Sequence, residues 1–233
     1  MPMSERATVL VVDDDPDIVA LMRDFLEAEG YAVLTAGDGE AALELIDREA
    51  IDCVLLDVMM PGQSGFEIIR RIREGGEAPV LFLSARQEDS DKLRGLGLGA
   101  DDYIVKSATP AEVVARVGAV LRRTRRGEAR ERTLLDFGRI VIDPRAREVR
   151  VEGEVASLTP REFDLLLLLA EHPRQVFTRE QLYERLWGDY GDRHTLTVHI
   201  GLLREKVEAD PASPEFITTV WGVGYRFEGE RRR

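Results

Sequence analysis

At 233 residues, with 44% hydrophobic content, the chain exceeds the usual size of one domain and carries enough apolar side chains for two compact cores. Its formal charge of −12 excludes indiscriminate nucleic-acid binding by the whole chain. Fifteen Lys and Arg face 24 Asp and Glu up to Gly127, and 17 face 20 beyond it, so any anion-binding surface must be a local patch.

The longest apolar run, Leu165 to Ala170, falls far short of the roughly 20 residues a bilayer requires. With no basic stretch leading into a long apolar one at the start, a cytoplasmic location is expected. The single cysteine, Cys53, lies among strand-like apolar residues and reads as a small core residue.

In chain order, apolar runs alternate with helical patterns five times. The runs are Val9 to Val12, Ala32 to Leu34, Cys53 to Leu56, Val80 to Leu83 and Tyr103 to Val105. Between and after them lie helical patterns through Ile18 to Phe25, Ala41 to Ile46, Phe66 to Ile72, Asp91 to Leu98 and Pro110 to Arg123. Buried strands alternating with amphipathic helices predict an α/β unit, a five-stranded parallel sheet with helices on both faces. Residues 1–123 form this first domain, and the charged stretch 124–132 reads as a linker. From 133 to 233 the period changes. Residues Leu134 to Leu158 alternate like short antiparallel strands with turns at Asp143-Pro144 and Gly153, three helical patterns follow, and Phe216 to Phe227 reads as a hairpin. This order describes an α+β winged helix-turn-helix.

Right-handed crossovers place the carboxyl ends of the first five strands along one edge, where such folds bind ligands. The sequence sends Asp13, Asp14 and Asp15, Asp57, Ser84 and Lys106 to those ends. Carboxylates packed this closely repel and call for a cation, and an all-oxygen set suits Mg²⁺. An aspartate flanked by a divalent cation and a lysine is a credible phosphoryl acceptor, with the serine hydroxyl able to bond the new group. Asp15, before Pro16, reads instead as a helix cap.

The residues Val11-Val12-Asp13-Asp14, Leu56-Asp57-Val58-Met59-Met60-Pro61-Gly62, Gly65, Leu83-Ser84-Ala85 and Gly99-Ala100-Asp101-Asp102-Tyr103 resemble a response-regulator receiver of the OmpR/PhoB type. The resemblance extends over nearly the whole chain. It implies a flavodoxin-like fold and phosphorylation of Asp57 by a sensor histidine kinase. It also implies direct Mg²⁺ ligation by Asp14, Asp57 and the Met59 carbonyl, with Asp13 acting through water. Ser84 and Tyr103 would form the switch pair, and Met59 and Arg86 would help set the rate of self-dephosphorylation. One departure stands out: the family's lysine is followed by a cis proline and an aromatic, whereas this chain has Lys106-Ser107-Ala108. A cis bond costs roughly 3 to 4 kcal/mol before a residue other than proline. Either that bond is strained, or it is trans with the lysine and the last helix displaced, and slower or altered phosphorylation is expected.

The resemblance further implies a homodimer on phosphorylation. Lys92 would face Glu112 and Asp102 would face Arg116, with Leu93, Leu96 and Val114 between them. A solvated, charged helix face is the alternative reading, and exposed pairs of this kind contribute about 0 to 1 kcal/mol each.

In the second domain, Leu158-Thr159-Pro160-Arg161-Glu162-Phe163 opens one helix and Phe177-Thr178-Arg179-Glu180-Gln181-Leu182 another, each with a threonine cap. The third, from about Arg193 to Val207, places Leu196, Ile200, Leu203 and Val207 on its core face. The remainder predicts a recognition helix for double-stranded DNA, with Arg204, His194, Thr195, Thr197 and His199 as donors. The resemblance adds Thr219 and Tyr225 near the DNA backbone, and Trp221 stands where relatives carry arginine. Shallow salt dependence is expected, since each phosphate neutralised adds about 0.9 to the salt slope.

Two rival functions remain at this point. A Mg²⁺-dependent phosphatase could use Asp57 as nucleophile, although the haloacid dehalogenase type requires an aspartate where Met59 stands. An interaction adaptor could dock on RNA polymerase, itself an expected partner of the regulator, with weakened DNA binding.

Overall fold

The computed structural model describes residues 6–76, 78–85, 89–127, 134–188 and 194–232, without the side chains of 89, 123–127 and 194. The chain divides into two compact units, Met1–Leu121 and Arg122–Arg233.

The first unit alternates strand and helix throughout: β1 (Thr8–Val12), α1 (Pro16–Ala28), β2 (Ala32–Ala36), α2 (Gly39–Arg48), β3 (Cys53–Asp57), α3 (Gly65–Gly75), β4 (Val80–Ser84), α4 (Asp89–Gly97), β5 (Asp102–Val105) and α5 (Pro110–Gly127). The strands pair in the order β2-β1-β3-β4-β5, all parallel. The inner strands β3 and β4 are buried along their whole length, which accounts for their unbroken apolar runs. Polar side chains cap the helices: Asp15 accepts from Asp17 N–H, Asp38 from Ala41 N–H, and Ser64 with Glu67 completes a capping box. Cys53 is fully buried, and its surroundings push the thiol pKa up, as the core reading requires. The helix α5 continues to Gly127, past Arg123 and into the stretch read as linker; residues 128–132 of that stretch lie outside the described residues.

The second unit begins with an antiparallel four-stranded sheet, β6 (Leu135–Asp136), β7 (Ile140–Asp143), β8 (Glu148–Val151) and β9 (Glu154–Ala156). The Asp143 carboxylate accepts from the N–H groups of Arg145 and Ala146, closing the predicted turn. Three helices and three short strands follow: α6 (Pro160–Ala170), β10 (Val176–Thr178), α7 (Arg179–Trp187), α8 (His194–Val207), β11 (Ile217–Val220) and β12 (Gly224–Phe227). The expected terminal hairpin is a three-stranded sheet, because β10 pairs with β12. Gly224 permits this pairing: a Cβ there would lie 2.0 Å from the Phe177 carbonyl oxygen. Among the described residues, no helix is long and apolar enough to cross a membrane.

Candidate functional site

At the carboxyl edge of the first sheet, the strand ends bring together the residues named from the sequence. Asp13 and Asp57 are buried and Asp14 is exposed, and one carboxylate oxygen from each lies within 4.8 Å of the others. Asp57 divides its oxygens between two donors: Met59 N–H donates to Oδ1 at 3.1 Å, and Lys106 Nζ donates to Oδ2 at 2.8 Å. Lys106 also pairs with Asp13 Oδ2 at 2.7 Å. A cleft of about 300 Å³ opens beside these groups, bordered by Asp13, Asp14, Val19, Arg23, Thr35 and Gly37.

The electrostatics follow from this crowding. Burial raises the Asp13 pKa, and the Asp57 charge adds to that effect, against the hydrogen bonds from Lys106 and Asp15 N–H. For Lys106, burial works against the ammonium, but hydrogen bonds to Asp13 and Asp57 outweigh it, and the pKa is raised. Two of the three carboxylates, Asp13 and Asp57, thus share one ammonium. The donors are all hard oxygens, one exposed and two buried, which fits a small divalent cation such as Mg²⁺.

The Lys106-Ser107 departure does not displace the lysine. No peptide bond among the described residues is cis, Lys106 N–H donates to the Ser84 carbonyl at 2.7 Å, and α5 begins at Pro110 as read from the sequence. The β4–β5 pairing therefore fixes the lysine backbone, and its long side chain spans the remaining distance. Gly65 is a further part of the site that the chemistry of its side chain could not announce. A Cβ there would lie 2.2 Å from the Asp57 carbonyl oxygen, so the loop after the acceptor closes tightly only around glycine. Ser84, at the end of β4, is fully buried.

Tyr103 is buried, its ring 6.0 Å from that of Phe82. A Cβ on Gly95 would lie 3.2 Å from Tyr103 Cδ2, so α4 accommodates the ring through a residue without a side chain.

The expected dimer face is only partly exposed in the single chain. Arg116 is buried and forms its ion pairs within the chain, with Asp102 at 2.9 Å and with Glu112, one helical turn away, at 2.7 Å. Leu96 and Val114 are buried as well, because α4 and α5 turn them towards the sheet. Leu93, at 46% exposure, the half-buried Lys92 and the outer edge of Glu112 remain accessible.

The DNA-facing set needs correction. His199 and Thr195 lie on the buried flank of α8, the former 5.4 Å from the Trp187 ring, and Tyr225 is buried beneath the hairpin. Packing against both α6 and α7 buries a stripe wider than the four aliphatic positions alone. Arg204 is half-buried and turned to the hairpin. It donates to the Ile217 carbonyl at 2.9 and 2.6 Å and to Thr219 Oγ1 at 2.9 Å, with its guanidinium 5.8 Å from the Tyr225 ring. Burial lowers its pKa. One turn on, Glu208 accepts from the N–H groups of Glu215, Phe216 and Ile217. Both ends of the Ile217 residue are therefore held by charged side chains, Arg204 on α8 and Glu208 just past its end. Thr197 is exposed, Thr219 is half-buried, and Trp221 is 89% exposed. The side chain of His194, and the whole of Arg86, lie outside the described residues.

Comparison with known proteins agrees with both units. Residues 9–118 match the response regulator receiver domain, and residues 153–227 match the C-terminal domain of transcriptional regulatory proteins. Transcriptional regulatory protein YvrH of Bacillus subtilis is 43% identical over 97% of this chain and 99% of its own length. DNA-binding response regulator MtrA of Mycolicibacterium smegmatis is 44% identical over 95% of this chain and 96% of its own. Among solved structures, the response regulator DrrB of Thermotoga maritima, described as an OmpR/PhoB homolog, is 38% identical at a TM-score of 0.53, covering 96% of this chain and all of that one. A receiver domain implies a histidine kinase as partner, and the second domain implies DNA. With the receiver's acidic edge, the three-helix unit and relatives that match along their whole length, this chain belongs to the OmpR/PhoB-type response regulators, the two-component proteins that control transcription.

Proposed function

We propose that Asp57 takes the phosphoryl group from a phosphohistidine of the kinase and that its modification governs DNA binding by the second domain. The observation that carries this reading is the division of the Asp57 carboxylate between Met59 N–H and the Lys106 ammonium, beside two further carboxylates. In the transfer, an Asp57 oxygen forms the new O–P bond while the P–N bond to the kinase breaks and the imidazole regains a proton. Lys106 opposes the charge that gathers on the phosphoryl oxygens, and Asp13 holds Lys106 in position. Mg²⁺, bound directly by Asp14, Asp57 and the Met59 carbonyl and through water by Asp13, would supply further charge neutralisation and orient the donor. The Ser84 hydroxyl then hydrogen-bonds the phosphoryl group, and Tyr103 follows it within the aromatic cluster beside α4.

In this reading residues 1–123 act as receiver, 133–233 as effector, and the intervening stretch, whose first residues continue α5, as the connection. The modified protein, located in the cytoplasm, forms a homodimer through the accessible part of the α4–α5 face, chiefly Leu93, Lys92 and Glu112. It contacts DNA through α8 and the hairpin, with Thr197, Thr219, Trp221 and His194 as the candidate contacts, and acts with RNA polymerase. The chain takes up and loses phosphate on itself and does not turn over external phosphate esters, since Met59 occupies the position where a phosphatase of this chemistry needs a second carboxylate.

The test is incubation of the full chain with a small phosphodonor, with and without Mg²⁺, beside Asp57→Asn. Stoichiometric labelling that needs both Mg²⁺ and Asp57 is expected. Equal labelling of Asp57→Asn refutes the assignment. Selection of duplexes from a random pool addresses the second domain; the adaptor reading, motivated by the engagement of Arg204 within the protein, expects none to be enriched.

A further inference from the structure

We infer that α8 reads its operator mainly through thymine methyl groups, with arginine–guanine pairing playing no part along its open face. The inference rests on the DNA-binding reading above and specifies which base chemistry that surface takes. Opposite the core stripe, α8 presents Thr197, Val198, Gly201, Leu202 and Glu205; Thr197, Gly201 and Glu205 are exposed, and Val198 and Leu202 are half-buried. The two cations on the helix whose side chains are described are already engaged. Arg204 is hydrogen-bonded to Ile217 and Thr219, and Lys206 Nζ donates to Glu162 Oε2 at 2.6 Å.

Guanine offers the major groove two acceptors, N7 and O6, which call for a forked donor. None stands on the described open face of α8. Thymine alone offers a methyl group there, and the threonine methyl, valine and leucine are its natural contacts. Gly201 lies in the middle of this face with no atom within 4 Å of where its Cβ would be. Packing does not require glycine at this point, and its absent side chain lets the helix backbone approach the groove floor, bringing Thr197, Val198 and Leu202 within van der Waals reach of base methyls. Glu205, on the same face, keeps the carboxyl half of the helix away from phosphates.

The experiment uses the full chain, phosphorylated with a small phosphodonor in Mg²⁺. A duplex is selected from a random pool, and thymines within the protected half-site are then replaced one at a time by deoxyuridine, which deletes only the methyl. Replacements outside the protected region serve as the control. Each methyl that α8 contacts is expected to weaken binding about fourfold on deletion, the effect of removing one buried carbon. Thr197→Ser, which keeps the hydroxyl and removes the side-chain methyl, should abolish the deoxyuridine effect at one position while leaving the others. A selected duplex bound equally well after every thymine in the half-site is replaced overturns the inference and leaves DNA binding standing. A pool from which nothing is enriched overturns the DNA-binding reading itself, and the inference with it.

Discussion

Replacing Arg204 with alanine should destabilise the second unit even in the absence of DNA. The guanidinium satisfies the Ile217 carbonyl and the Thr219 hydroxyl and covers the Tyr225 ring. Hydrogen bonds from a charged donor contribute about 1.5 to 3 kcal/mol each. The two contacts to Ile217 share one acceptor and the site is half-open to solvent, so the loss comes to about 2 kcal/mol in total rather than the sum of three bonds. Both tryptophans of the chain, Trp187 and Trp221, belong to the second unit, and Trp187 is buried in its core. Tryptophan fluorescence of the full chain in urea therefore follows that unit alone. With a urea slope of about 2 kcal/mol/M, the midpoint should fall by about 1 M. Arg204→Lys should recover little, because a lysine presents no fork. A midpoint unchanged by Arg204→Ala, together with lost DNA affinity, would show that the arginine serves the nucleic acid and not the hairpin, and would falsify the assignment.

Four further outcomes follow from the site geometry. Gly65→Ala should perturb the loop after Asp57 and slow labelling by a small phosphodonor, since its Cβ would lie 2.2 Å from the Asp57 carbonyl oxygen; an unchanged rate and melting temperature would contradict the close approach. Glu208→Ala leaves the N–H groups of residues 215 to 217 without their carboxylate and should cost about 2 to 3 kcal/mol, read by the same fluorescence titration. Ser107→Pro should leave the labelling rate unchanged, because Lys106 already reaches Asp57 at 2.8 Å; acceleration would reopen the question of lysine placement. In chelator, the raised Asp13 pKa means that the folded state binds more protons than the unfolded chain. Its contribution is therefore most favourable below the ordinary value of 3.8 and is lost as pH rises through the folded value. Asp13→Asn should accordingly melt at a higher temperature than the parent at neutral pH without Mg²⁺, and a lower melting temperature would sink this account.

Much of the receiver was legible because its determinants are local. Buried parallel strands show as continuous apolar runs, and Asp15 before Pro16 announces the first helix as its cap. The acceptor site was legible because the fold class alone sends strand ends to one edge. What escaped depends on partners distant in sequence. Three residues, Val176 to Thr178, are too few to show a strand period, and they merge with the threonine cap of α7; only the pairing with β12 makes them a strand. Asp102 and Arg116, read as facing a second copy, meet within one chain because the end of α5 nearest β5 carries Arg116 over the strand. Helical spacing and charge together point Arg204 to DNA, and nothing near it in sequence reveals that Ile217 claims it. His199 was misplaced for a different reason, since four aliphatic positions underestimate how much of a helix is covered when two others pack on it.

The double hold on Ile217, by Arg204 through the carbonyl and Glu208 through the amide, has a consequence for operator grammar. If α8 and the hairpin contact DNA as proposed, they form a calliper of fixed opening, unable to flex independently along a duplex. Since B-form DNA turns once in about 10 to 10.5 base pairs, inserting a single pair between the segments they touch rotates one target roughly 35° away from its reader. Such spacing variants should be rejected outright, while a single-base change within either segment weakens binding only by what that one base supplied.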